Sequence, residues 1–305
     1  MPASWVAASV RARLLAERRI GSARALDLTK CAGLPEALKV LAESPWGERI
    51  AGDMSLEEAE REVAVTLLWN LRLIAGWLPP GGVHTVQPLA AWFELSNIEE
   101  RLVYLAGGGH PAPYQLGRLA FAWPSVARAT TRDAVRGALA QSRWGDPGDG
   151  RTDAWMAILR FRWAAWVATS VPGADVWAAA ASALLAARLR FTFQPAAEVG
   201  STRPFGLPSE WMEASTVGEL RALLSGQVAW VLDGIGDAGD LWRAEARWWS
   251  RVRRDAAKML VASRFGPEVI VGAAALLAYD AWLTRAALAA VARGDVGRTV
   301  FSAVA

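Results

Sequence analysis

Near the C-terminal third the chain reads VAWVLDGIGDAGDLWRAEARWW, and residues 234–239 of it spell GIGDAG. G-x-G-x-x-G is the spelling of a dinucleotide-binding turn. Its glycines let a strand's backbone approach a pyrophosphate seated at a helix N-terminus. That chemistry needs a strand before the turn and an acidic residue closing a second strand. Residues 228–232 are β-like in composition, yet they also complete a helical run that starts at Thr216. Asp255 lies inside an Arg-rich helical stretch instead of ending a strand. With no βαβ alternation elsewhere, GIGDAG reads as a loop between helices. The glycines of AGGGH at 106–110 precede no G-K-[ST], so no phosphate-binding P-loop is written there either.

His84 and His110 are the only histidines and Cys31 is the only cysteine. No usual zinc set can be assembled from them, and the expectation is a chain without metal or cofactor. No G-x-S-x-G elbow accompanies the histidines, which both fall in Pro/Gly-rich loops, so a Ser-His-Asp site has no signature. The stretch ARWWSRVRRD at 246–255 pairs arginines for phosphate with tryptophans for base stacking. On a helix, however, Trp242, Trp249 and Val252 share a face with Ala256. Arg247, Arg251 and Arg254 fall on another, with Asp255 and Glu245 nearby. This is the pattern of an amphipathic helix with solvated arginines, and no nucleic-acid partner is expected.

The elements that carry these residues are helical. Of 305 residues, 53% are hydrophobic and 21% charged, the composition of a packed globular chain. The net charge of +3 is too mild to single out a polyanionic partner. One cysteine makes no intrachain disulfide, which fits a reducing compartment. The longest uncharged runs, 176–187 and 269–279, fall short of the ~20 residues of a membrane helix, and MPASWVAASVRARLL lacks the apolar core of a signal peptide.

The clearest helix is SLEEAEREVAVTLLWNLRLIAGWL. Ser55 and Glu58 have capping-box spacing, Leu56, Ala59, Val63, Leu67, Leu71, Ile74 and Leu78 form one apolar face, and PPGG at 79–82 stops it. Further helical runs are expected at about 5–19, 34–43, 88–106, 115–141, 153–169, 174–192, 209–213, 216–230, 240–264 and 267–293. Pro267 suits the first turn of the last run, and Thr216 and Glu219 again have capping-box spacing. No stretch alternates with period two. The breaks at 106–113, 144–150 and 201–209 place boundaries near 110 and 200, giving an all-α chain divided into 1–110, 111–200 and 201–305.

One element recurs. LAESPWG at 41–47 and LAQSRWG at 139–145 share L-A-x-S-x-W-G. Each ends a short helix and precedes a longer one. Gly47 and Gly145 suit a left-handed helix exit, and Trp46 and Trp144 suit a cover folded over the helix end. ELRALLS at 219–225 reads as a degraded third copy without the Trp-Gly. Two or three related helical units follow. The chain holds seventeen tryptophans, an excess that suits buried cores and partner surfaces alike.

The order of these segments resembles the central-stalk subunit of V/A-type rotary ATPases, a family with archaeal-type and vacuolar-type members. The opening, with Trp46-Gly47 in the place of the family's Tyr-Gly, is similar to that family's start. WFELSNIEERLVYLAGG at 92–108 resembles its D-x-x-N-I-K helix, with Asn97 and Ile98 at the N-I pair, Glu94 at the acidic position and Glu99 in place of Lys. FGPEVIVGAAALLAYDAW resembles its closing helix through Gly266, Pro267 and Glu268, with Asp280 at the Glu position. Tyr279 stands where the family has Lys, and Trp282 where it has a further Glu. The resemblance implies three similar all-α domains arranged as a funnel. It implies a non-catalytic, cofactor-free socket between the central-shaft subunits and the membrane rotor ring, serving ion transport from the cytoplasmic face as a peripheral subunit. An all-α scaffold or regulator that has lost the ATPase role is the alternative.

Overall fold

Three α-helix starts among the described residues are set by local side-chain caps, from Ser55, Thr131 and Thr216. The computed structural model describes residues 3–109, 111–193, 199, 204–261 and 265–302. Among these residues every regular element is helical and no strand occurs. The chain divides into two compact units, Met1–Gly81 with Val252–Ala305, and Gly82–Arg251. The boundaries expected at 110 and 200 fall on residues outside the described set.

The first unit opens with α1 (Ala3–Glu17), α2 (Gly21–Thr29), α3 (Leu34–Ala42) and α4 (Leu56–Trp77). The Ser55 hydroxyl accepts the Glu58 amide at 3.2 Å, and the Glu58 carboxylate accepts the Ser55 amide at 2.8 Å. This is the expected capping box, and it satisfies two of the free N–H groups of a helix start. Ala59, Val63, Leu71, Ile74 and Leu78 of the expected face are buried.

The second unit contains α5 (Gln87–Leu105), α6 (Trp123–Val126), α7 (Arg132–Ala140), α8 (Thr152–Ser170), α9 (Asp175–Arg188), α10 (Val217–Leu223) and α11 (Gly226–Ala229). A π-helical turn at Leu189–Phe193 extends α9. α12 (Leu241–Val261) begins in this unit and ends in the first, which then adds α13 (Pro267–Ala292) and α14 (Asp295–Ser302). In the first unit α13 is central, packed by α1, α2, α3, α4 and α14; in the second, α8 packs against α5 and α9.

Two expected runs are broken. The run at 115–141 is a 3-10 turn at Gly117–Leu119 followed by α6 and α7. Pro124 fits only the first turn of a helix, and Thr131 turns extended to become the N-cap of α7, its hydroxyl accepting the Ala134 amide at 3.1 Å. The run at 216–230 splits because Leu224 and Ser225 are extended between α10 and α11. Thr216 caps Glu219 as expected at 3.1 Å, but the Glu219 carboxylate reaches back to the Ser215 amide at 2.7 Å. Two helices carry no legible signal in the sequence, α2 and α14. The first starts at Gly21 without any side-chain cap of its own.

α13 (26 residues) and the helical span Asp175–Phe193 (19 residues) are long and apolar enough to cross a membrane, because both continue past the uncharged runs. The more apolar window of α13 is 78% buried within the protein. Its central acid, Asp280, is engaged by donors from the same unit, as a core helix requires.

Candidate functional site

Two buried acids among the described residues, Glu94 and Asp280, form polar centres built from residues distant in sequence and alike in role. In the second unit Glu94 projects from α5, a helix started by Pro88 in its first turn. Its carboxylate is fully buried. One oxygen, Oε1, accepts the backbone amides of Phe121 (3.0 Å), Ala122 (3.1 Å) and Trp123 (2.8 Å). Trp123 is the first residue of α6, Ala122 its N-cap and Phe121 the residue before, a helix start that has no side-chain cap of its own. The other oxygen, Oε2, accepts the indole N–H of Trp144 at 3.0 Å. Burial raises the Glu94 carboxyl above the usual carboxylate range, and the three amides and the indole pull in the opposite direction.

In the first unit Asp280 projects from α13. Its Oδ2 accepts the Ile20 amide at 2.9 Å and the Trp46 indole N–H at 2.7 Å, and its Oδ1 accepts the Gly21 amide at 2.9 Å. Ile20 and Gly21 are the N-cap and first residue of α2. The negative charge at a helix N-terminus is the favourable sense of the backbone dipole. Each acid therefore caps a helix that its own local sequence leaves uncapped, and each is held by one tryptophan.

The recurrent L-A-x-S-x-W-G element supplies those tryptophans. Trp46 and Trp144 are both buried. In each copy the serine hydroxyl accepts the tryptophan's backbone amide, Ser44 from Trp46 at 3.2 Å and Ser142 from Trp144 at 3.1 Å. The glycine amide returns to the serine carbonyl, Gly47 to Ser44 at 2.9 Å and Gly145 to Ser142 at 3.1 Å. The tryptophan follows the short helix's N-cap at the same interval in both copies, Gly33 to Trp46 and Thr131 to Trp144. The glycines differ. Gly145 takes the left-handed conformation expected of it, with φ +69°. Gly47 does not, and is required because a Cβ there would collide with the backbone of Ala42.

The remaining motif residues are also packing nodes. The Asn97 side-chain amide forms a two-bond pair with the Tyr114 backbone, donating to its carbonyl at 2.9 Å and accepting its amide at 2.7 Å. It thus pins the connection after α5 to the helix. Ile98 is buried in the cluster that holds Leu95, Val126, Leu139 and Trp144. Pro267 occupies the first turn of α13, and the Gly266 amide donates to the buried Ser9 hydroxyl at 3.1 Å.

GIGDAG follows a helical segment, α11 with the turn Trp230–Leu232, so no strand precedes it. Its Asp237 carboxylate accepts the Gly239 amide at 2.7 Å and starts the turn Ala238–Asp240. His84 sits in the 3-10 turn Gly82–Thr85; His110 lies outside the described residues. No group of three or more His, Cys, Asp or Glu suited to a metal occurs among the described residues. The arginines of 246–255 are not all solvated, contrary to their reading from the helical pattern. Arg247 donates to the Val231 carbonyl at 3.0 Å, and Arg251 lies over the Trp230 ring at 5.6 Å. Their long side chains fold over the end of a neighbouring 3-10 turn, a fate that periodicity does not reveal.

Chemically, Glu94 and Asp280 are acceptors surrounded by donors and shielded from water, so they act as staples between helices. In comparisons with known proteins, no family model matched the chain and no curated protein matched it.

Proposed function

We propose that the chain is a non-catalytic central-stalk subunit of a V/A-type rotary ATPase, a socket that couples the rotating shaft to the membrane rotor ring. The observation that carries this reading is the shared role of Glu94 and Asp280. These acids stand at the acidic positions of two separate segments that resemble that family, and each caps a helix start together with the tryptophan of a recurrent Trp-Gly element. A fold of repeated helical domains accounts for that coincidence, and an accidental likeness between helical sequences does not. The finer picture proposed with it is three similar domains forming a funnel, at the cytoplasmic face of the membrane and in contact with it only through partners. A socket under torque is favoured by stiff inter-helix fastening, which buried charged hydrogen bonds supply.

The test is a tagged pull-down from solubilised membranes of the native organism, with mass spectrometry of the recovered proteins. Recovery of shaft, ATPase-head and ring subunits is the expected result. Recovery of none at normal expression overturns it.

A second reading, an all-α scaffold that has left the ATPase, is favoured by two positions of α13. Tyr279 and Trp282 stand where the family carries Lys and Glu, and their rings pack 6.0 Å apart. Rotary-ATPase genes beside this one support the first reading, and their absence the second.

A further inference from the structure

Residues 175–229 repeat the order of the Glu94 assembly with its polar centre removed. Ser182 lies as far into α9 as Glu94 lies into α5, counting from Asp175 and Gln87. The neighbours keep register. Ala179, Ala183 and Ala186 are buried where Ala91, Leu95 and Ile98 are buried in α5. Ser182 is itself fully buried, and its hydroxyl has no hydrogen-bond partner among the described residues.

The groups that would answer an acid are altered in step. The short helix Ser209–Glu213 starts behind Pro208, which has no N–H, and it has no side-chain cap. The Thr216-capped helix α10 has 7 residues where the Thr131-capped α7 has 9. Ser225 follows it, but Gln227 stands in the place of Trp144. The tryptophan of this segment comes from elsewhere. Trp211 precedes Thr216 by the interval that separates Val126 from Thr131. It is fully buried against Phe161, ring centroids 5.8 Å apart, and its indole N–H has no partner among the described residues. An indole in the place of valine fills the volume that a carboxylate and the other tryptophan would occupy. The backbone is drawn in as well: a Cβ at Gly206 would stand 2.6 Å from the Ala179 side chain. The core is refilled, and two buried polar groups are stranded in it, each carrying an uncompensated desolvation cost.

The helices here are also short. Ser209–Glu213, α11, Trp230–Leu232 and Ala238–Asp240 are one-turn pieces. Such pieces gain little from helix cooperativity and depend on tertiary packing.

We propose that 204–240 is a conformational release element: it opens locally, without unfolding of the Glu94 assembly in the same unit. Opening hydrates the Ser182 hydroxyl and the Trp211 indole, so part of the cost of exposing the core is returned. The Glu94 assembly has less return: among the described residues its stranded side-chain atom is the Arg132 Nε, on a guanidinium that still donates to the Gly150 carbonyl, and its opening breaks four hydrogen bonds to a carboxylate.

Hydrogen exchange of the full-length protein, read by mass spectrometry at neutral pH, tests this. Amides of 217–232 are expected to exchange at least about tenfold faster than the slowest amides of 132–144, through openings whose denaturant dependence is shallower than that of global unfolding. Equal protection overturns the proposal. Faster exchange alone would also arise from short helices, so Ser182→Ala decides the cause. Removing a stranded hydroxyl is expected to slow exchange across 217–232 by about threefold or more, with 132–144 unchanged. Unchanged or faster exchange in 217–232 would show that the hydroxyl is engaged, and would overturn the proposal.

Discussion

The Glu94 and Asp280 assemblies do the same task with different margins. Glu94 receives four donors, three of them backbone amides converging on a single oxygen. Asp280 receives three, shared between its two oxygens. Glu94 starts a helix of one turn, α6, which has no independent stability; Asp280 starts the nine-residue α2. Beyond the acid, Asn97 adds a second fastening in the Glu94 assembly, while Leu283 at the equivalent offset from Asp280 is buried and apolar. The difference teaches that the carboxylate matters most where the element it caps is least able to stand alone.

The largest expected effect is removal of the acids. Glu94→Ala leaves four donors without an acceptor, two of them buried and two part-buried, and should cost about 3–5 kcal/mol in denaturant unfolding of the second unit. Asp280→Ala should cost less, on the order of 3 kcal/mol. A larger loss for Asp280 would break the comparison. Next come the tryptophans. Trp144→Phe and Trp46→Phe each remove one hydrogen bond to a buried charge, and each should cost about 1.5–3 kcal/mol. The Trp46 variant should suffer more, because fewer donors remain on Asp280; equal values would mean that donor number is not what separates the two sites.

The glycines sharpen the contrast further. Gly145→Ala meets a left-handed backbone, at about 1–2 kcal/mol, with the Arg162 guanidinium 3.2 Å from the new Cβ able to move aside. Gly47→Ala meets the Ala42 backbone, which cannot, and should be the costlier of the pair in thermal melts, at about 2–3 kcal/mol. The smallest effect concerns pH. Asp146, held by Arg136 at 2.6 Å and by the Gly148 amide, has its carboxyl lowered to about 2. Because the folded value lies below the ordinary 3.8, its contribution is present above that pH and lost as pH falls toward 2. Arg136→Met should flatten this part of the acid-denaturation curve by lowering stability slightly at pH 7 and not at pH 2, a small loss because the pair is exposed.

Much of the chain's helical content is readable in the residues. Ser55 and Thr216 cap within their own first turn as their spacing predicts, and the apolar face of α4 follows from its spacing, because these contacts span only three or four residues; Thr131 caps in the same way inside a run whose pattern continues past it. α2 is illegible for the opposite reason. Its cap is a carboxylate 260 residues away in sequence, and nothing in GSARALDLT announces a start. The recurrent Trp-Gly element is visible as a pattern, and its tryptophans are expected from sequence to cover helix ends. That they also carry the hydrogen bond to a buried acid is not visible there, since the partners lie 50 and 234 residues away.

Local order determined the all-α class, most of the long helices, the starts at Ser55, Thr216 and Pro267, and the recurrence of the Trp-Gly element. Capping and periodicity act within a turn or two, so they leave their mark in neighbouring residues. Only the tertiary structure decided that Glu94 and Asp280 answer Trp144 and Trp46, that Gly47 is required by crowding where Gly145 is required by conformation, and that Ser182 meets no partner among the described residues. Those outcomes depend on which groups lose water together, and burial is a property of the packed chain.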